Sequence, residues 1–194
     1  MRSILPLMLV TLLNACAGSA PPETVRYLLR AEQPPGQRSA VETPRVGIGR
    51  IVVPPYLNQL GIVLETEPGQ VRAARHHLWA EPFDQGLTHY LRQALSAEMG
   101  VDVSIDPAQR GAWDYRLDVR FEEFHGTEDG NVHMTVEYSW TAASSGNSGQ
   151  RSMFSGVAPM SGDGYAAMVA AHEALLARLV GAMTASVPVS VSLR

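Results

Sequence analysis

The 194-residue chain contains no lysine: all 15 of its basic residues are arginine, set against 19 aspartates and glutamates. The formal net charge is −4, and the arginines form no cluster in the sequence. Nucleic-acid binding needs a cationic face that neutralises phosphates, so that class is excluded. The same acidity argues against electrostatic docking of the chain as a whole to anionic lipid headgroups. The missing lysine itself reads as a base-composition bias with no mechanism attached. The chain also lacks a long apolar run at its start. The mainly apolar stretch from Ile4 to Leu13 is about ten residues, whereas a membrane-spanning helix needs roughly 20. There is one cysteine, so no disulfide closes within the chain, and the body must be held by its core.

That cysteine has a telling position. Met1 and Arg2 give a cationic start, the apolar run follows, and small Ala15 stands just before Cys16. This is the layout of an export signal. Leu13-Asn14-Ala15-Cys16 resembles the bacterial lipobox, with Asn14 as its one departure, since a small or β-branched residue usually stands there. The resemblance implies cleavage after residue 15 and a Cys16 that carries a diacylglycerol on sulfur and an acyl chain, such as palmitate, on its new amine. One acyl chain holds a protein to a bilayer only weakly; three hold it almost permanently. Ala17 follows where an aspartate would favour retention at the inner membrane, which implies the periplasmic face of the outer membrane. Residues 16–24 read as the acylated N-terminus and a short tether, and residues 25–190 as one domain. Removing residues 1–15 removes Arg2 and leaves 14 arginines against 19 acids, a charge of −5.

Period-2 and period-3.6 patterns then mark the elements. Residues 24–31 and 44–57 read as strands, the second closed by Pro54 and Pro55. Residues 61–82 read as a hairpin turning at Pro68 and Gly69 and returning over residues 71–75. Phe83, Leu87, Tyr90, Leu91 and Leu95 make one helical stripe, with Pro82 suited to its first turn and Gly100 to its end. Residues 101–106 read as a further strand. In residues 113–124 and 132–140 apolar and polar residues alternate strictly, which predicts an antiparallel hairpin with one face on a core and one in water. Residues 125–131 read as its polar loop, and residues 150–158 as a third strand. A last helix carries Tyr165, Met168, Val169, His172, Leu175, Leu176, Leu179 and Met183 on one face, with Asp163 as its cap and Pro188 after its end. The expected class is α+β: a mixed, largely antiparallel sheet with two main amphipathic helices packed on one face.

No catalytic constellation emerges. Gly47-Ile48-Gly49 opens like a dinucleotide loop, but Val52 stands where its third glycine belongs. His172-Glu173 lacks the second histidine of a zinc helix, since Leu176 occupies that place. Gly146-Asn147-Ser148-Gly149 ends in Gln150 where a nucleophile elbow needs glycine. His76, His77 and Glu81 are close enough in sequence for a metal, yet they read better as a polar strand end. His172 lies on an apolar helix face and reads as a core histidine with one hydrogen-bond partner. The sequence therefore leads us to expect no enzyme, metal or cofactor, apart from the covalent lipid at Cys16.

Two stretches carry a resemblance. Val46, Gly47, Gly49, Pro54, Tyr56 and Leu57 in "VGIGRIVVPPYL", followed by His77, Trp79, Ala80, Glu81, Pro82 and Gly86 in "HHLWAEPFDQG", are similar to motifs of the ABC-type transport auxiliary lipoproteins of the PqiC/YmbA kind. Arg50 and Phe83 depart mildly from that pattern. The resemblance runs from about residue 25 to residue 187. It implies a non-enzymatic, lipid-anchored subunit of an MCE-type intermembrane lipid transport system, with an MCE-domain protein as partner, docking or anchoring the transport tunnel at the outer membrane and supporting envelope integrity. A homo-oligomer ringing the tunnel end is among its implications. Pro54, Tyr56, Leu57 and Trp79 are the candidate interface residues, because stiffened aromatic and aliphatic groups make good anchors; core packing is the competing role for each. The alternative function is that of an outer-membrane lipoprotein activating a cell-wall synthase. It would need a longer tether, since eight extended residues reach only about 28 Å. A direct lipid carrier would need an apolar cavity.

Overall fold

The computed structural model of the protein describes residues 22–31, 44–143, 149 and 151–188. Cys16, Ala17 and the first part of the tether lie outside these residues. Eight strands, β1 (Val25–Tyr27), β2 (Val46–Val52), β3 (Gly61–Glu67), β4 (Gln70–Trp79), β5 (Val103–Ser104), β6 (Tyr115–Thr127), β7 (Asn131–Ala142) and β8 (Arg151–Pro159), form one sheet. Two helices, α1 (Phe83–Met99) and α2 (Tyr165–Ala185), and a short 3-10 turn over Pro107–Ala112 complete the described chain. The α+β class read from the sequence is the observed one.

The hairpin of β6 and β7 organises the sheet, and its alternation explains why. Leu117, Val119 and Phe121 of β6, with Met134, Val136 and Trp140 of β7, are buried. The residues between them face the other side, where Arg116, Arg120 and Glu122 are exposed. β7 pairs antiparallel with β6 and with β8. On its other side β6 is shared. Its first half pairs parallel with β2, from Tyr115 to Arg120, and its far end pairs parallel with β3 at Gly126 and Thr127. β3 turns back antiparallel into β4, β1 adds parallel to β4, and β5 adds parallel to β2.

Both helices contribute to the same core. α1 buries Leu87, Leu91 and Leu95, and α2 buries Leu175, Leu176 and Leu179, all at 0% exposure. Each such side chain contributes roughly 1.5–3 kcal/mol by leaving water, so these six alone anchor the helix layer. The helices pack on one another and on the apolar face of the sheet. Gly47 shows how closely the opposite face is covered: a Cβ there would lie 2.1 Å from the ring of Trp113. Gly47 is therefore a packing requirement, in a stretch that is a strand, as expected.

Five expectations need correction. β6 does not end at residue 124 but runs to Thr127, so residues 125–127 belong to the strand and not to the loop. The reason is a register shift between Phe121 and Glu123: a bulge at the Glu122-Glu123 pair resets the alternation and lets pairing continue. β4 likewise continues past residue 75 to Trp79. The strands expected over 24–31 and 101–106 shrink to three and two residues. Asp163 does not cap α2. Gly164 occupies that place with φ 87°, and no side chain bonds the first turn, because the left-handed backbone there suits glycine and moves the helix start one residue beyond the aspartate's reach.

Candidate docking site

β2 and β3 both lie along β6 but do not meet. β2 pairs with it as far as Val52↔Arg120, and β3 begins at Leu64↔Gly126. The connecting residues 53–60 fill the interval. Pro54 and Pro55 have no N–H to give to a ladder, so the chain leaves the sheet there and turns. Leu57 N–H donates to the Pro54 carbonyl at 3.0 Å and Asn58 N–H to the Pro55 carbonyl at 3.2 Å. The Gln59 side-chain amide donates to the Tyr56 carbonyl at 2.6 Å. Leu57, 3% exposed, is the inward peg of the turn, while Pro55 is exposed and Pro54 and Tyr56 are half-buried.

Tyr56 is tied to the outer, polar side of the sheet. Its hydroxyl lies 3.1 Å from Nδ1 of His125, with the rings edge-on at 70°. His125 is 5% exposed. Its Nε2 lies 3.3 Å from Glu65 Oε2 and 3.6 Å from Glu123 Oε1. A neutral His125 can therefore accept from Tyr56 at Nδ1 while donating from Nε2 to Glu65. Glu123 also accepts from the Thr135 hydroxyl at 3.3 Å, and His133 stands opposite His125 in the ladder. The Gly69 N–H, and then His125, hold the Glu65 carboxyl below the usual carboxylate range. Burial, followed by the charges of Glu123 and Glu65, pushes the Tyr56 phenol up, against the Phe124 backbone. Tyr56 is thus a neutral donor seated over a buried imidazole.

Trp79 sits elsewhere. It is 5% exposed, stacks on Phe83 at 5.0 Å and meets His172 edge-on at 5.8 Å. Its backbone N–H donates to the Leu60 carbonyl at 2.7 Å, so the corner at residues 79–82 clamps the far end of the 53–60 connection. Ala80 N–H donates to Tyr27, and the Pro82 carbonyl accepts from Gln85 and Gly86 at the start of α1. Leu57 and Trp79 therefore act from inside, shaping the turn, and Pro54 and Tyr56 are the candidates that reach the surface.

The polar residues weighed from sequence have separate engagements. His77 bonds the Tyr27 hydroxyl at 3.2 Å and stacks on Tyr165 at 4.2 Å, whereas Glu81 pairs with His89 at 3.2 Å. His172 is buried, its Nδ1 2.7 Å from the Met168 carbonyl. Burial pushes it down to about 4, so it is neutral at pH 7 and Nδ1–H donates. Between the helices runs a groove of about 490 Å³, lined mainly by alanines such as Ala94, Ala170 and Ala174 and rimmed by Arg30 and Glu173.

Sequence reasoning missed His125, Glu65 and Glu123. His125 falls in the stretch that reads from sequence as a loop. The signal was the doubled acid in Phe121-Glu122-Glu123-Phe124: two polar residues between aromatics mark a bulge, after which Phe124 faces the core and His125 the outer side.

A family model described as the ABC-type transport auxiliary lipoprotein component matches residues 27–184. A solved structure of an uncharacterised protein is 24% identical, covers 86% of this chain and 100% of its own, and superposes with a TM-score of 0.70. A second, a DUF330 protein from Xanthomonas campestris, is 15% identical, covers 82% of this chain and 92% of its own, and gives a TM-score of 0.65. These two likenesses speak to the fold alone. No curated protein matches the chain.

Proposed function

Because the chain belongs to the ABC-type transport auxiliary lipoprotein family, and so is a membrane-anchored periplasmic lipoprotein of a transport system, we propose that it docks the far end of an MCE-type lipid transport tunnel at the outer membrane. In this reading Cys16 carries the diacylglycerol and the N-acyl chain, Ala17 leaves the protein free to be sorted outward, and the partner is an MCE-domain protein. The chain holds and positions; it does not catalyse. The observation that carries the reading is the seated turn at residues 54–57. Two prolines stiffen it, Leu57 pegs it into the core, and the bond from Tyr56 to His125 fixes it on the sheet. A rigid, half-exposed aromatic group loses little entropy when a partner covers it.

The test is to purify the full-length, lipidated protein from gently solubilised membranes and identify its companions by mass spectrometry. Co-purification of MCE-domain and inner-membrane transporter subunits is the expected result. Recovery of a penicillin-binding protein instead would transfer the role to activation of a cell-wall synthase.

A further inference from the structure

Charge is distributed unevenly over this acidic chain. The edge strand β1 and its neighbour β4 carry Arg26, Arg72 and Arg75 and no carboxylate, hence +3 on a chain of −4. All three arginines are exposed, and none of them forms an ion pair among the described residues. Two acids of the neighbouring strand β3 are held locally and keep their charge: Glu67 accepts from Gln70 Nε2 at 2.7 Å, and Glu65 is bound to Gly69 N–H and His125. Glu23, exposed just before β1, is a further carboxylate near this edge.

Apolar groups gather in the same place. Among the described residues, four of the six exposed large hydrophobic side chains lie on or beside these strands: Val25 (38%), Leu28 (37%), Leu60 (43%) and Val71 (46%). Leu60 joins them because its carbonyl accepts from Trp79 at the end of β4. β1 covers β4 only from His77 to Trp79, which leaves the backbone edge at residues 70–76 without a partner strand among the described residues. Exposed apolar groups interspersed with unpaired arginines are what a protein surface needs to rest on a bilayer with anionic headgroups: the apolar groups enter the interface and the guanidiniums meet phosphate.

The chain's own geometry says which surface this edge meets. Cys16 precedes Val25 by nine residues, an extended reach of at most about 30 Å. We propose that the β1–β4 edge is the membrane-facing side of the domain and lies on anionic phospholipid, with Arg26, Arg72 and Arg75 on the headgroups. This rests on the reading of Cys16 as the acylated anchor. It gives the anchored domain a fixed orientation, with the intramolecular contact favoured by the high effective concentration of the surface. It also refines the argument from net charge, which describes the whole chain and not this edge.

The experiment uses the mature, lipidated protein in nanodiscs of phosphatidylglycerol and phosphatidylethanolamine, compared with discs of phosphatidylcholine, with amide exchange of residues 70–76 as readout. Exchange there should be slower on the anionic discs, and 0.5 M NaCl, where the screening length falls to a few ångströms (about 4 Å), should restore it. The docked-to-undocked ratio should fall about fivefold for each arginine removed, hence about 25-fold in Arg72→Gln with Arg75→Gln. Arg110→Gln in the distant 3-10 turn should change nothing. Equal exchange on both disc types, or protection that survives the double substitution, would overturn the proposal. Failure of the anchor reading is seen separately, as an unmodified mass for the Cys16 peptide, and failure of the docking reading as the absence of MCE-domain companions.

Discussion

The two halves of the family motif are built from similar residues and do different work. Residues 54–57 and residues 79–82 each carry proline and one aromatic. In the second, the aromatic is inward: Trp79 lies against Phe83 and His172, and its backbone N–H closes the connection from β2 to β3. In the first, the aromatic is outward: Tyr56 covers His125 on the polar side of the sheet and keeps part of its ring in water. The lesson is that a stiff turn becomes a docking surface only when something else secures it. Here the corner at Trp79 and the peg at Leu57 supply the security, which in the proposed docking role leaves Tyr56 free to meet a partner.

Substitution should separate the two halves. The largest effect belongs to the buried one. Trp79→Ala should lose about 3–5 kcal/mol of folding stability, read by denaturant unfolding; a loss of partner capture at unchanged stability would instead make Trp79 a surface anchor. Next comes the pH response of its neighbour. His172 titrates near its ordinary value of 6.5 when unfolded but only at about 4 when folded, because burial disfavours the charged ring. Between those pH values the unfolded chain holds one more proton, so stability rises with pH across the window. Acidification from about 6.5 to about 4 should therefore cost about 3 kcal/mol, and His172→Met should flatten that part of the stability curve.

The outward half should respond more gently. Tyr56→Phe keeps the ring and removes the hydroxyl, which leaves Nδ1 of buried His125 without that partner. The expected loss is about 1–2 kcal/mol, with measurably weaker capture of the proposed MCE-domain partner. Tyr56→Ala should abolish capture while the protein still unfolds cooperatively. The smallest effect is expected away from both halves. Arg151 pairs with Glu137 at 3.2 Å but is 75% exposed, so Arg151→Ala should change stability by less than about 1 kcal/mol and leave capture intact.

Much of this architecture was legible from periodicity. The β6–β7 hairpin and the apolar stripes of both helices follow from which residues must avoid water, and that requirement writes itself directly into spacing. What stayed hidden is non-local. Nothing in the run from Val53 to Leu60 says that β2 and β3 share one edge of β6 with a gap between them, so nothing there says that Tyr56 must meet His125, 69 residues away. Leu57 and Trp79 look as surface-competent as Tyr56 until the core is assembled. Asp163 looks like a cap until Gly164 takes a conformation that moves the helix start. The segregation of Arg72 and Arg75 to one edge is likewise a product of topology and cannot be seen in a net charge.

The most direct test of the docking role places a photo-crosslinking residue at exposed Pro55, in living cells, and identifies the adduct by mass spectrometry. A crosslink to an MCE-domain subunit, lost when the same residue is placed at Arg110, is the expected result. A crosslink to a penicillin-binding protein, or equal yield from both positions, would contradict a docking surface at residues 54–57.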